Sequence, residues 1–300
     1  MKPPPFTYHR PLTLQEALDV LGQVGVEGRV LAGGQSLIPL LNERRITPAH
    51  LVDINRVAGL SDVRVERDGV QVGATVRHTE VEAHKAAHAL VPLLRQGLRW
   101  VAHPAVRNRG TVVGSLAHAD PGAEMTAVLA LLEGTVELAR TGHWRTVAAR
   151  DLIVSAFKTC IEPGELAVSA YFPRPPDRTG TAFVEASRRS TDAATCALAA
   201  AVTLDEDARI TAARGAYVAV AETPVVLDLT DPLVSTTPAT ANWESAALLA
   251  RERISPGPDL HASAEYRRHL VGVLTARALR SAALRAADTL TTDWSLEPTP

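Results

Sequence analysis

The chain has 300 residues, 46% hydrophobic and 21% charged, with a formal net charge of -2. That balance suits one large or two modest soluble domains whose core needs no metal or disulfide staple. The near-zero charge removes the electrostatic case for nucleic acid or an anionic membrane as a partner.

Two cysteines, Cys160 and Cys196, lack CxxC spacing, and the ten histidines form no HExxH pair. No metal centre or iron–sulfur cluster is therefore expected in this chain. No apolar run reaches membrane-spanning length, and the opening MKPPPFTYHRPL has no apolar stretch. No membrane and a cytoplasmic location are expected.

In chain order, TLQEALDVLGQVG begins with a capping box, Thr13 with Glu16 three residues on. Leu14, Ala17, Leu18 and Leu21 then share one helical face, and Gly22 or Gly25 can end the helix. RVLAG and HLVDI read as buried strands. Val63 and Val65 alternate with polar neighbours, and Asp68-Gly69 turns the chain into VQVGA, a hairpin. A helix opens at His78 or Thr79, and LVPLLRQGLRWVA reads as another. MTAVLALLEG is helix-like, and TVELAR and ELAVSAYF are strands. PRPPDRTG, residues 173–180, is the strongest linker, because its prolines resist helix and ladder alike. Beyond it TAFVEAS, CALAAAVTL and ITAARGAYVAV read as three strands, the last two a hairpin across DEDA. Tyr266, Leu270, Leu274 and Ala278 step by four, as on one buried helix face. The end of the chain, TTDWSLEPTP, reads as a disordered or loosely docked tail.

Two glycine-bearing stretches stand out: RVLAGGQSL, residues 29–37, and RNRGTVVGSLAHADPGAE, residues 107–124. Glycines in such turns let backbone N–H groups curl around an anion and let a ligand approach closely. Gln35 and Ser36 add side-chain donors. A pyrophosphate can be held this way without a lysine. The chain has no GxxxxGK[ST], and no GxGxxG opens a helix, so neither a P-loop nor a Rossmann site is supported. A turn between strand and helix is the alternative reading of AGG.

RVLAGGQSLIPLL, VRNRGTVVGSLAHADPGAE and the later FVEASRR with Asp192 resemble the FAD-binding medium subunits of the molybdenum hydroxylases. That group includes the carbon monoxide dehydrogenase medium subunit and the flavin part of xanthine dehydrogenase. The resemblance runs from YHRPLTLQEAL to about residue 288. It implies an α+β fold: an FAD-binding domain of the vanillyl-alcohol-oxidase (PCMH) type in two subdomains, residues 1–175. A smaller C-terminal domain of antiparallel strands with helices would follow, residues 178–288, then a flexible tail, 289–300.

By the same resemblance Ala32, Gly33, Gly34, Gln35 and Ser36, flanked by Leu31 and Leu37, would form the first pyrophosphate loop. Gly110, Thr111, Gly114 and Ser115 would belong to the second. Glu124 matches an acidic position bonding ribose or ribityl hydroxyls, and Leu166 an apolar residue near the adenine or flavin. Asp192 and Ala193 fall beside the isoalloxazine. Asp120, next to Pro121, is expected to cap the following helix and to shape the loop.

The sequence departs from the family at two places. The second loop usually reads T-[IV]-G-G-[NS], but here it is TVVGS, with Val113 in place of a glycine. If that position needs positive φ or lies against phosphate, a β-branched side chain is costly; if Val113 points into the core, one glycine suffices. Relatives also tend to carry G-D-[FY]-A where this chain has Thr191, Asp192 and Ala193. Losing the aromatic ring would open space beside the flavin.

The implied function is an FAD-binding oxidoreductase subunit. It would pass electrons from a large molybdopterin subunit and a small iron–sulfur subunit through FAD to a small-molecule acceptor, with flavin carrying the redox chemistry. Two alternatives stay open: a stand-alone flavoenzyme with its own small-molecule substrate, and a non-catalytic descendant of the fold. For the former, His103, His118 and Glu185 are the acid–base candidates.

Overall fold

The computed structural model describes residues 2–189 and 191–292, with side chains through 288. The chain forms two compact units. The first comprises residues 1–91, 101–120 and 133–173; the second, residues 92–100, 121–132 and 174–300. Strands bounded by the 173–180 linker end at Pro173 and resume at Thr179. Two segments before that linker, 92–100 and 121–132, nevertheless pack with the second unit. Of the expected flexible tail 289–300, residues 289–292 instead continue the helix Ala264–Thr292, and 293–300 lie outside the described residues.

In the first unit the helix Leu14–Val24 carries the full capping box: Thr13 accepts from Glu16 N–H, and the Glu16 carboxylate accepts from Thr13 N–H. Ala17, Leu18 and Leu21 are buried, and Gly25 at φ +50° stops the helix. Strands Thr7–His9, His50–Asp53 and Gly28–Leu31 form a parallel three-stranded sheet in that spatial order. A five-stranded antiparallel sheet runs Val63–Val65, Gly69–Gly73, Leu166–Pro173, Thr135–Arg140, His143–Ala148. Its last strand was not visible in the residue pattern, because HWRTVA leaves four of its six residues exposed or half-buried before Val147 turns inward.

In the second unit, strands Thr179–Ser187, Ala194–Leu204, Ile210–Val218 and Val225–Asp228 pair in sequence order as an antiparallel sheet. Cys196, Leu198, Ala200 and Val202 join one core with Leu270, Leu274 and Ala278 of the helix Ala264–Thr292. Ala197 and Ala199, which point the other way, are also buried. Helices Pro92–Leu98 and Glu124–Leu131 pack on the sheet too, and Gly97 lies against Val128, Phe183 and Met125. Burial on both faces explains why CALAAAV reads as a continuous apolar run rather than as an alternation.

Candidate functional site

The first glycine turn leaves the C-terminal end of the strand Gly28–Leu31 and enters the short helix Leu37–Asn42. Gly34 sits at φ +74°, and its carbonyl accepts from Ile38 N–H at 3.0 Å. Gln35 Nε2 donates to the Gly33 carbonyl at 3.2 Å, so part of its donor capacity folds back onto its own turn. The N–H groups of Gly33, Gly34, Gln35 and Ser36 find no acceptor among the described residues. Four consecutive unspent donors in a turn are the arrangement that receives an anion.

The second turn touches the first. A Cβ added to Gly33 would lie 2.4 Å from the Arg109 carbonyl oxygen and 2.7 Å from Gly110 Cα. The two backbones therefore meet at a point that only glycine can occupy. Thr111 caps the helix Val112–His118, its Oγ1 accepting from Gly114 N–H at 3.1 Å. A Cβ at 114 would sit 2.5 Å from that hydroxyl.

Val113 lies within this helix, 2% exposed, and is not among the residues with positive φ. Of the two open readings of that position, the core reading is the one that the geometry supports. The retained glycine is the one against which the capping hydroxyl packs.

Side chains that the residue pattern did not single out bind the two turns together. Asn55 Nδ2 donates to the Ala32 carbonyl at 2.9 Å and to Asp53 Oδ1 at 2.6 Å. Arg77 donates through Nη2 to Asn55 Oδ1 at 2.6 Å and through Nη1 to the Arg109 carbonyl at 2.7 Å. Tyr8 OH donates to the other Asp53 oxygen. Burial works to raise the Asp53 carboxyl, but hydrogen bonds from Tyr8 and Asn55 outweigh it and hold Asp53 below the usual carboxylate range. Burial, then the neighbouring Arg109 guanidinium, lower Arg77 from its ordinary value, yet an arginine keeps its charge in a protein. Arg77 and the exposed Arg109 bring two guanidinium groups to this end of the unit, against the carboxylates of Asp53 and Glu80. The one available signal was VDIN, an Asp-x-Asn just past a strand end.

His78 sits beneath the second turn, 4% exposed, its ring against Gly110. Burial pushes it down to about 4, so it is a neutral imidazole at pH 7.

The remaining expected residues are placed as follows. Leu166 is buried and opens the central strand of the five-stranded sheet. Asp120 does not cap the next helix. That helix starts at Glu124 with Ala123 as its N-cap, three residues beyond Asp120. His103 stands at the N-cap of Pro104–Arg107 through its backbone carbonyl, which accepts from Val106 and Arg107 N–H. His118 is half-buried, its ring 5.3 Å from that of Phe157, and burial lowers it. Asp192 and Ala193 are exposed on the loop before Ala194–Leu204.

Within the second unit, Glu124 is 8% exposed at the first position of its helix, where the dipole favours negative charge. Glu185, on the strand Thr179–Ser187, is 9% exposed, with Oε2 buried and unpartnered. Burial first, then the charge of Glu124, push Glu185 up to about 8, against an opposing bond from Ser187. Burial thus moves His118 and Glu185 in opposite directions, the imidazole down and the carboxyl up.

A stability consequence follows from the sign of that shift. Below about pH 4.5 the carboxyl is protonated in both folded and unfolded chains and contributes no slope. Between that point and about pH 8 the folded state holds the extra proton, so stability falls as pH rises. Glu185→Gln removes the titration. The variant is expected to match the parent at pH 4.5 and to be about 1–3 kcal/mol more stable at pH 8. Urea unfolding at the two pH values checks this, and an unchanged difference between them would defeat it.

Comparison with known proteins gives the site its context. Residues 4–175 match the family described as FAD binding domain in molybdopterin dehydrogenase, and residues 181–282 the CO dehydrogenase flavoprotein C-terminal domain. The 6-hydroxypseudooxynicotine dehydrogenase complex subunit alpha of Paenarthrobacter nicotinovorans is 38% identical, over 96% of this chain and 98% of that one. The carbon monoxide dehydrogenase medium chain of Afipia carboxidovorans is 36% identical, over 95% and 99%. The crystal structure of quinoline 2-oxidoreductase from Pseudomonas putida 86 contains a chain matching at TM-score 0.88 and 37% identity, over 95% and 99%. With both domain families matched in tandem, and a turn whose bare N–H groups and glycine contact suit a pyrophosphate, the chain belongs to the FAD-binding medium subunits of the molybdenum hydroxylases.

Proposed function

We propose that this chain is the flavin subunit of a heteromeric molybdenum hydroxylase, working beside a large molybdopterin subunit and a small iron–sulfur subunit. The observation that carries the reading is the run of four unspent N–H groups, Gly33 to Ser36, held against the backbone of Gly110. FAD, when bound, supplies the redox chemistry that links an iron–sulfur donor to a small-molecule acceptor.

The chain's own task is to hold that group. Gly33, Gly34, Gln35 and Ser36 offer backbone donors to the pyrophosphate, with Leu31, Ala32 and Leu37 framing the turn. Gly110, Thr111, Gly114 and Ser115 shape the second turn, and Arg77 and Arg109 supply positive charge. We assign Glu124 to a sugar or ribityl hydroxyl, Leu166 to apolar contact, and Asp120, Asp192 and Ala193 to the flavin's surroundings. Residues 1–175 serve as the FAD-binding domain and 178–288 as the C-terminal domain. Among the described residues no helix is long and apolar enough to cross a membrane, and a cytoplasmic location is the reading we favour.

The direct test is the visible absorption spectrum of the chain purified alone, with the cofactor released by denaturation and identified. Stoichiometric FAD is expected. Absence of flavin after incubation with excess FAD would overturn the site. Co-purification with the two partner subunits, when all three are expressed together, separates the subunit reading from a stand-alone flavoenzyme.

A further inference from the structure

We propose that Asn55 and Arg77 are positioning residues that clasp the two glycine turns together in the shape that receives the pyrophosphate. The inference rests on the flavin-binding reading above and assigns a role to two residues outside both glycine motifs.

The geometry is a continuous chain of bonds within the first unit. It starts at the end of the strand His50–Asp53, where Asp53 Oδ1 accepts from Asn55 N–H at 2.9 Å and from Asn55 Nδ2 at 2.6 Å. Asn55 Nδ2 also reaches the Ala32 carbonyl of the first turn at 2.9 Å. Asn55 Oδ1 accepts from Arg77, whose other terminal nitrogen holds the Arg109 carbonyl of the second turn at 2.7 Å. Arg77 is itself anchored, because the Glu80 carboxylate accepts from its backbone N–H at 2.6 Å. The Ala32 carbonyl is thus tied to Asn55 and the Arg109 carbonyl to Arg77, and the two side chains are bonded to each other.

The consequence follows from the planarity of the peptide bond. In a trans peptide the carbonyl and the next N–H point in opposite directions. Holding the Ala32 carbonyl toward Asn55 turns the Gly33 N–H away from it. That N–H is the first of the four that have no acceptor among the described residues. The clasp fixes the direction of this first donor before any ligand arrives, which removes an ordering cost from binding.

The residue types are demanded by the chemistry. Asn55 must donate to a carbonyl and accept from a guanidinium at once, which an amide can do and a carboxylate cannot. A carboxylate there would lose the bond to Ala32 and face Asp53 as a like charge. Arg77 must reach two acceptors in fixed directions, and a lysine ammonium lacks that planar fork.

The test uses the full chain and the variants Asn55→Asp, Arg77→Lys and the double variant. Affinity for FAD is read by quenching of flavin fluorescence, and affinity for ADP, which carries the pyrophosphate without flavin, by calorimetry. Far-UV circular dichroism and apo-protein Tm report the fold. Each single variant is expected to weaken FAD and ADP alike by about tenfold or more, with the fold retained. The double variant should be little worse than either single one, because both break the same chain.

A folded Asn55→Asp protein that binds FAD within about twofold of the parent would overturn the role. If Asn55→Asp fails to fold, Arg77→Lys decides by the same threshold. Losses confined to FAD, with ADP unaffected, or losses that simply add in the double variant, also overturn it. A parent chain that takes up neither FAD nor ADP brings down the cofactor reading itself, and the clasp with it.

Discussion

Gly33→Ala is expected to give a protein that purifies without flavin and melts at lower temperature than its parent. The added methyl carbon would lie 2.4 Å from the Arg109 carbonyl oxygen and 2.7 Å from Gly110 Cα. Both obstacles are backbone, so no rotamer change relieves them, and the two turns must separate. Overpacking of this kind costs about 1–3 kcal/mol. The larger effect is on binding, because separated turns no longer converge on one anion. We expect FAD affinity to fall by about 100-fold or more, equivalent to about 2.7 kcal/mol.

Gly34→Ala is the informative comparison. Gly34 has positive φ, and its neighbours are the side chains of Ile38 and Leu31, which can shift. It should be milder than Gly33→Ala in both readouts. Titration with FAD and thermal melts of the two variants check the ranking. Stoichiometric flavin in purified Gly33→Ala would show that the contact between the turns does not hold the site.

Val113→Gly, which restores the glycine pair usual in the family, is expected to damage the protein rather than improve it. Val113 is 2% exposed inside a helix. Removing it forfeits about 1.5–3 kcal/mol of side-chain burial and places glycine in a helix at about 1 kcal/mol. A net loss of about 3 kcal/mol should appear in urea unfolding. FAD affinity of the folded variant should stay within about twofold, because the N-cap bond from Gly114 to Thr111 is untouched. A variant as stable as the parent that binds FAD more tightly would show that the valine obstructs the cofactor. The helical placement of Val113 also removes one of the two departures, Val113 and Ala193, that together motivate reading this chain as a non-catalytic descendant of the fold.

The residues alone determined what depends on local periodicity and on short-range bonds. The capping box at Thr13 and Glu16 closes over three residues, so its spacing was sufficient to place the helix Leu14–Val24. The glycine turns, the hairpin at Asp68-Gly69 and apolar strands in each of the three larger sheets were legible for the same reason, and the two motifs sufficed to identify the family. The exposed strand His143–Ala148 was not legible, nor was the helix Trp243–Arg253, whose buried residues are mostly alanine.

Only the tertiary structure decided which glycine of the second turn matters, since that depends on where the Thr111 hydroxyl folds back. It alone brought Asn55 and Arg77, 22 residues apart, into one hydrogen-bonded chain spanning both turns. It alone set Glu185 in a buried position near Glu124, where the low polarity and the second carboxylate raise its affinity for a proton. These are long-range contacts, and their partners leave no periodic mark on the sequence. The types of residue in the site could be read along the chain, but their burial and charge state exist only once distant segments have packed together.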